Sequence, residues 1–272
     1  EGKRITAPFI LWRRTKEVHM RHTMRATVFG SALVMIVLLV FTAAQAVPSA
    51  SVDFQYNLGG SARYGMIDAG KLYSLIGGRL FIADVSDIAH PVELGSLPTP
   101  GIGRRIAKKD NVLYLACSEG GMVTVDVSDP QKPKQLAQII FDTSDRLGNT
   151  FDVVVRGNYA YVADHTGLHT VDITNPAAPV LKTSFTGFAN PRHLAYDLML
   201  DGNYAYLCCE GDGLYVFDIS NPASPACVSQ WKDAENNFGQ FYQSARNGNY
   251  LYVAGGIKGI VVLDVTDLKS PK

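Results

Sequence analysis

Short apolar runs recur along most of the chain, and five of them end in a similar turn that contains aspartate. In the clearest run, residues 214–219, apolar side chains occupy both alternating faces, which is typical of a strand buried on both sides. The five copies read RLFIADVSDIAHP, GMVTVDVSDPQKP, GLHTVDITNPAAP, GLYVFDISNPASP and GIVVLDVTDLKSP. Their central residues, here called the marker aspartates, are Asp84, Asp126, Asp172, Asp218 and Asp264, at intervals of 42, 46, 46 and 46 residues. Such a period predicts a repeat architecture.

Each repeat predicts four antiparallel strands. Upstream of the marker, a Gly-Asn pair between apolar runs, as in DGNYAY at residues 201–206, predicts a tight hairpin. Asp-Pro or Asn-Pro after the marker favours a type I turn, although Ile88 and Leu268 replace this proline in two copies. A second proline, seven residues after every marker, predicts that an edge strand follows.

A single four-stranded sheet would leave both of its faces wet, and radial stacking of the sheets buries them. We therefore predict an all-β fold, a β-propeller of four-stranded blades, with five blades in the chain as given. The segment SVDFQYNL, residues 51–58, is expected to complete the last blade as a strand from the N-terminus. The alternative, in which the sequence is a fragment and further blades exist, stays open.

The first 46 residues stand outside the repeats. Residues 28–46 are almost continuously apolar and end in Ala-Gln-Ala, which predicts a hydrophobic helix and a secretory signal cleaved before Val47. An uncleaved membrane anchor is the alternative, because the run approaches the length of a bilayer span. We therefore divide the chain into a leader, 1–46, and a propeller, 47–272, and expect an exported protein in the periplasm, outside the cell or on its surface.

Charge argues against nucleic acid as a partner. The whole chain carries 25 basic and 25 acidic residues, and without the leader 18 and 23 remain, a net charge of −5. A nucleic-acid-binding protein would normally show a basic stripe. The four cysteines are too few and too irregularly spaced for a disulfide framework, so we predict buried free thiols.

The repeated V-D-V-S-D-P-x-x-P block, with its preceding G-N-Y-A-Y-V-A hairpin and Gly-Leu pair, resembles the LVIVD repeat. The resemblance covers about residues 62–272, and the first copy departs from it at Arg79 and Ile88. It implies a propeller and an exported or surface-associated bacterial or archaeal protein, and it transfers no catalytic residues.

The candidate site lies where the repeats differ. The connections between sheets, residues 98–104, 141–151, 186–193 and 232–242, vary in length and content, and variable loops on a rigid scaffold usually carry binding. We expect them to place arginine and aromatic side chains at the mouth of the central channel, a combination that suits anionic or sugar-like ligands and protein partners. The candidates are Arg63, Arg104, Arg105, Phe151, Arg192, His193, Phe241 and Tyr242. The alternative is that the arginines pair with acids such as Asp152 and Asp197.

Nothing in the sequence predicts catalysis. The chain has no phosphate-binding loop, no G-x-S-x-G motif and no zinc spacing, and His165 and His169 beside Asp164 lack a third ligand at a suitable spacing. We expect no cofactor, no metal and no enzyme, but an interaction scaffold for a protein or glycan of the cell envelope. Membrane contact would come only through an uncleaved leader. The alternatives are a metal-dependent, lactonase-like hydrolase and a structural module of a larger surface protein.

Overall fold

The computed structural model describes residues 62–141, 149–188, 194–232, 241–256 and 259–272, which fall within the second of two compact units, 41–272. These residues form five antiparallel sheets in chain order. The first comprises β1 (Ala62–Asp68), β2 (Lys71–Ile76), β3 (Arg79–Asp84) and β4 (Val92–Pro98). The second comprises β5 (Arg105–Lys109), β6 (Val112–Ala116), β7 (Met122–Asp126) and β8 (Lys134–Ile139). The third comprises β9 (Thr150–Arg156), β10 (Tyr159–Asp164), β11 (Gly167–Asp172) and β12 (Val180–Phe185). The fourth comprises β13 (Ala195–Asp201), β14 (Tyr204–Cys209), β15 (Gly213–Asp218) and β16 (Ala226–Trp231). The fifth comprises β17 (Ser244–Asn247), β18 (Tyr250–Ala254) and β19 (Ile260–Asp264).

Each sheet corresponds to one repeat, as predicted. A marker aspartate ends the third strand of every sheet, and in the first four sheets the outer strand begins directly after the second proline. In the fifth, Lys272 exchanges two backbone hydrogen bonds with Asp264, at 2.7 and 3.0 Å, where the other sheets begin their outer strand. The predicted N-terminal strand, 51–58, and the leader helix lie outside the described residues.

The marker aspartates have a structural role. One carboxylate oxygen of each accepts a hydrogen bond from the backbone N–H two residues further on, at 2.8 to 3.0 Å. These bonds hold the chain in the turn that leads to the outer strand. A fivefold contact of this kind belongs to the scaffold.

Consecutive sheets pack face to face and form a β-propeller, so we call each sheet a blade. Four apolar clusters fill the spaces between successive blades, with Leu115, Val162, Leu207 and Leu251 as members in chain order. The inner strands β1, β5, β9, β13 and β17 contact one another in sequence. Tyr252 on the other face of the fifth blade is 40% exposed, whereas the equivalent Tyr206 is fully buried.

The proline turn of one blade also contacts the blade before it. Thr124 donates to the carbonyl of Pro176 at 2.7 Å, and Tyr161 donates to that of Pro222 at 3.2 Å. Ser229 makes the same contact, at 2.6 Å, with Leu268, which replaces the proline in the fifth copy. The bond uses a backbone carbonyl, which explains why the side chain at this position can vary.

The glycine that opens the third strand is needed for close approach of the outer strand. Gly213 has a φ of +78°, and a Cβ there would lie 2.1 Å from the carbonyl oxygen of Trp231 on β16. Gly121 and Gly167 face the same restriction, with carbonyl oxygens 2.0 and 1.7 Å from an added Cβ. The second, third and fourth blades therefore have no room for a side chain at this position, whereas the first blade has Arg79 there and an added Cβ at Gly259 of the fifth would meet nothing within 4 Å.

All four cysteines are free thiols, as predicted. Cys117, Cys208 and Cys209 are buried, whereas Cys227 is exposed on an outer strand, against the expectation of burial. Across the described ranges, no helix has the length and apolar character needed to cross a membrane.

Candidate functional site

The connections between blades reach the inner strands at one end of the propeller, here called the loop end. The hairpins and proline turns lie at the opposite end, the hairpin end. At the loop end, two successive positions near the start of each inner strand define two sets of equivalent residues. The outer set, the mouth ring, comprises Arg63, Arg104, Phe151, Tyr196 and Gln243. The next set, the inner ring, comprises Tyr64, Arg105, Asp152, Asp197 and Ser244.

Arg105 connects the inner ring across several blades. Its guanidinium binds both oxygens of Asp152, at 2.9 and 3.0 Å, and one oxygen of Asp197 at 2.8 Å. The other oxygen of Asp197 accepts from the backbone N–H and the hydroxyl of Ser244, at 2.9 and 2.8 Å. The ring of Tyr64 lies below the guanidinium, 5.0 Å from its carbon. The alternative prediction, that the arginines pair with acids, is confirmed for Arg105.

Two buried carboxylates share this single cation. The side chains of Asp152 and Asp197 are 1% and 5% exposed, and burial raises the pKa of both, that of Asp152 to about 6. Burial alone would lower the pKa of Arg105, but the two carboxylates outweigh it and raise it. Arg105 therefore ties the inner strands of three blades together through its Nε and Nη2 groups, and this ion-pair network is its main role.

Arg104, one residue earlier, has a different environment. Its Nε donates to Ser118 Oγ at 2.7 Å, and its guanidinium lies 5.0 Å above the ring of Phe151. No described carboxylate forms an ion pair with Arg104 or with Arg63. Burial, followed by repulsion from Arg63, lowers the pKa of Arg104. The loop end thus holds a partly buried positive charge that has no ion pair with a described side chain and that Glu119 attracts only from a longer distance.

Aromatic rings continue from this cation toward the fifth blade. Phe151 meets Tyr196 edge to face at 4.9 Å, and Tyr196 lies 5.3 Å from Tyr242, with an angle of 50° between the rings. The Tyr196 hydroxyl donates to Glu210 at 3.0 Å, and burial together with this carboxylate raises the pKa of the phenol. Tyr242 is 44% exposed, so the arc of rings ends at the surface.

A pocket adjoins the arginines between the first two blades. It has a volume of about 470 Å³ and is lined by the connecting segment 99–103, with Leu75 on one side and Glu119 on the other. Ile102, in this lining, is 44% exposed. The lining combines glycine-rich backbone with Leu75, Ile102 and the carboxylate of Glu119, so the pocket adds contact surface and one negative charge beside Arg104.

The structure divides the predicted site residues into three groups. Arg63, Arg104, Phe151 and Tyr242 come together at the loop end. Arg105 and Phe241 are structural: Phe241 is 2% exposed and stacks on Trp231 at 5.8 Å within the core between blades four and five. Arg192 and His193 lie outside the described residues.

Sequence reasoning missed Tyr196 and Ser118, which complete the surroundings of Arg104. Tyr196 could have been found from the repeat register, because it precedes Asp197 just as Phe151 precedes Asp152. Ser118 has no such signal. It lies in the turn after β6 with a φ of +39°, and only the fold brings it to Arg104.

The two histidines weighed as metal ligands have separate partners. Nδ1 of His165 accepts from the backbone N–H of Asn149 at 3.3 Å, whereas His169 lies between Asp164 and Ser184. In the described part of the chain, no three His, Cys, Asp or Glu side chains are grouped as metal ligands.

These features define a β-propeller, and comparison with known proteins gives the family. The model of the LVIVD repeat matches residues 73–99, 100–138, 147–187, 194–233 and 245–272. The chain therefore belongs to the LVIVD repeat family, which confirms the resemblance seen in the sequence. No curated protein matches it in sequence.

Solved structures share the fold at low identity. A protein from Lactobacillus plantarum is 15% identical with a TM-score of 0.62, over 78% of this chain and 69% of that one. The β-propeller domain of Cps50 (Swd1) from Myceliophteria thermophila is 13% identical with a TM-score of 0.57, over 72% and 66%. The periplasmic gluconolactonase PpgL of Pseudomonas aeruginosa is 12% identical with a TM-score of 0.54, over 64% and 53%. The chain thus spans between half and about two thirds of the length of these structures, and the likeness concerns the fold alone.

Proposed function

We propose that this chain is an exported propeller whose loop end binds a protein or glycan of the cell envelope without transforming it. The observation that carries the proposal is the environment of Arg104. Its guanidinium is partly buried, stacked on Phe151 and held by Ser118, with no ion pair to a described carboxylate. A buried charge is costly unless it is paired, so an anionic group of a partner would complete this site.

The aromatic arc supports the same conclusion. Tyr196 and Tyr242 extend the row of rings that begins at Phe151, on which Arg104 stacks, and Arg and Tyr are among the residues most often central to binding surfaces. Tyrosine offers a flat apolar surface and a polar hydroxyl at low entropic cost, which suits both sugar rings and protein side chains. An acidic glycan or an acidic protein segment fits this combination.

Export rests on the leader. Residues 28–46 have the apolar core and small-residue end of a secretory signal, and an envelope partner is the kind that an exported propeller would meet. Contact with the membrane itself is proposed only for a leader that stays uncleaved. The metal-dependent hydrolase weighed above has no feature of the loop end that favours it.

The experiment compares two arginine variants of the immobilised protein, Arg104→Gln at the loop end and Arg156→Gln at the hairpin end. Envelope extract is divided, and one part is treated with protease and another with periodate to distinguish protein from glycan. We expect the natural chain and Arg156→Gln to retain the same component, and Arg104→Gln to lose at least about tenfold in affinity, the effect of one charge-assisted hydrogen bond. Retention of nothing, or equal retention by both variants, would contradict the proposal.

A further inference from the structure

The third blade contains a serine, a histidine and an aspartate joined by hydrogen bonds. Ser184 Oγ on β12 lies 2.8 Å from Nδ1 of His169 on β11. Nε2 of the same imidazole lies 2.9 Å from Oδ1 of Asp164, the last residue of β10. The site spans β10, β11 and β12 of this blade and uses residues that belong to neither the mouth ring nor the inner ring.

The three side chains differ in solvent exposure in the way that nucleophilic catalysis requires, with a buried acid, a buried base and an accessible hydroxyl. Asp164 and His169 are 1% and 2% exposed, whereas Ser184 is exposed on the outer strand. The ring of Phe141 stacks on the imidazole, with centroids 4.4 Å apart and an angle of 10°. The base is therefore fixed in a dry position, and the hydroxyl it contacts is open to solvent.

The partners of Asp164 set the proton positions on the imidazole. Its Oδ1 also accepts from the backbone N–H groups of Thr166 and Gly167, at 2.7 and 3.1 Å. Burial would raise the pKa of this carboxyl, but the hydrogen bonds from His169 and Thr166 outweigh it and lower the pKa. An ionised carboxylate only accepts, so Nε2 carries the hydrogen and Nδ1 is left to accept from the Ser184 hydroxyl.

The fold does not require this arrangement, because other blades have different residue pairs at the equivalent position of the third and outer strands. In the cross-strand register His169 lies opposite Ser184, whereas Phe81 lies opposite Ser96 in the first blade. The second blade has Val123 opposite Gln138. Among the four described pairs of third and outer strands, a serine lies opposite a histidine only in the third blade, where the end of β10 also supplies the carboxylate.

We propose that Ser184 is an activated nucleophile, with His169 as its general base and Asp164 as the positioning residue, and that it accepts acyl groups from small carboxylic esters. Nucleophile, base and orienting acid within hydrogen-bond reach are the geometric signature of covalent catalysis. This goes beyond the proposed binding function, and it departs from the prediction of a chain without catalysis, which rested on sequence motifs alone.

The reaction balances with the ester and water alone. Ser184 Oγ attacks the ester carbonyl carbon while its proton passes to His169 Nδ1. The bond from that carbon to the alcohol oxygen breaks, and the alcohol leaves with the proton. Water then attacks the acyl-serine with the same base, which releases the acid and restores the hydroxyl. β12 is the outer strand of its sheet, so alternate backbone N–H groups point away from β11 and are not used in the strand ladder.

The test uses a fluorophosphonate, which forms a bond from serine Oγ to phosphorus and releases fluoride. The folded protein is treated with it, digested, and the modified serines are located by mass spectrometry over time. Ser96 serves as an internal control because it occupies the same place on β4 without a histidine. General-base catalysis predicts that Ser184 reacts at least about 100-fold faster than Ser96.

Two variants separate catalysis from folding. Ser184→Ala should abolish the modification, and His169→Phe, which copies Phe81 of the first blade, should slow it by about 100-fold while the thermal midpoint confirms a folded chain. Asp164→Asn should lower kcat for p-nitrophenyl acetate hydrolysis and leave KM unchanged, because it disturbs only the orientation of the base.

Equal rates at Ser184 and Ser96, or an unchanged rate in a folded His169→Phe variant, would overturn the proposal. A folded natural chain that is not modified at Ser184 would also overturn it. None of these three results bears on Arg104, so they do not test the proposed binding function.

Discussion

Arg105 on β5 binds Asp152 on β9 through two parallel hydrogen bonds, Nε to Oδ1 at 2.9 Å and Nη2 to Oδ2 at 3.0 Å. The same guanidinium reaches Asp197 on β13, so one side chain of the second blade holds the inner strands of the third and fourth. Such paired, two-pronged contacts are the strongest charge-assisted bonds in proteins. The centre of the propeller is therefore fixed by polar contacts, whereas the spaces between blades are filled by apolar ones.

Replacing this arginine should destabilise the fold strongly. Arg105→Met leaves two buried carboxylates without a cation, and removal of one partner of a buried pair costs about 3–5 kcal/mol in the free energy of unfolding. Urea denaturation at pH 7 measures the loss. Arg104→Met is the matched control, because its guanidinium has no described ion pair, and a loss below about 1 kcal/mol is expected there. Similar losses in both variants would contradict the structural role of Arg105.

The two carboxylates should also make stability depend on pH. Burial raises the pKa of Asp152 to about 6 and raises that of Asp197, whereas an unfolded aspartate titrates near about 3.9. The folded chain therefore holds a proton more tightly than the unfolded chain. The stabilisation is complete below about pH 4 and is lost as the pH rises toward about 6.

Asp197→Asn tests this dependence. It removes one of the two buried negative charges, so the charge of Arg105 balances that of Asp152. The folded chain then no longer holds a proton here more tightly than the unfolded chain. Urea midpoints measured from pH 4 to pH 6.5 should fall less steeply in the variant than in the natural chain. The difference between the two curves is the measurement, since histidines contribute equally to both. Parallel curves would show that this pair does not titrate in that range.

The fold was predictable because the same pattern of strands and turns occurs five times in the sequence. The marker aspartates, the second proline and the Gly-Asn hairpin each fix a strand boundary, and the structure has the strands where these residues place them. Repetition also identified the marker aspartates as structural. A single copy would have left their role open.

The site was predictable only in part, because adjacent residues on a strand point in different directions. Nothing local distinguishes Arg104 from Arg105; the difference lies in Asp152, 47 residues away from Arg105. The pair of His169 and Ser184 depends on the register of β11 against β12, which shifts at Thr170 and Val171. Sequence spacing does not reveal such a bulge.

Glycine at the start of the third strand should be indispensable where the outer strand lies close. In Gly213→Ala the added Cβ would lie 2.1 Å from the carbonyl oxygen of Trp231, at a φ of +78°. We expect a loss of about 3 kcal/mol or more in the free energy of unfolding, from backbone strain and overpacking together. Gly202→Ala is the control, since φ there is +53° with open space around it, and about 1–2 kcal/mol is expected. Equal losses would mean that backbone strain alone explains the conserved glycine.

Phe241 and Tyr242 are neighbours in sequence, but replacing each with alanine should affect a different property. The Phe241 variant should lose stability, and the Tyr242 variant should lose binding. Phe241 is 2% exposed and stacks on Trp231, so Phe241→Ala should cost about 3–5 kcal/mol in the free energy of unfolding. Tyr242 is 44% exposed at the end of the aromatic arc, so Tyr242→Ala should change stability by less than about 1 kcal/mol. The same Tyr242 variant should weaken retention of the envelope component, because it removes a ring beside Tyr196. Urea denaturation and the retention assay on the same two proteins give the full comparison. A Tyr242→Ala variant with lost stability and normal retention would place this ring in the scaffold and leave the binding surface to Arg104 and Tyr196.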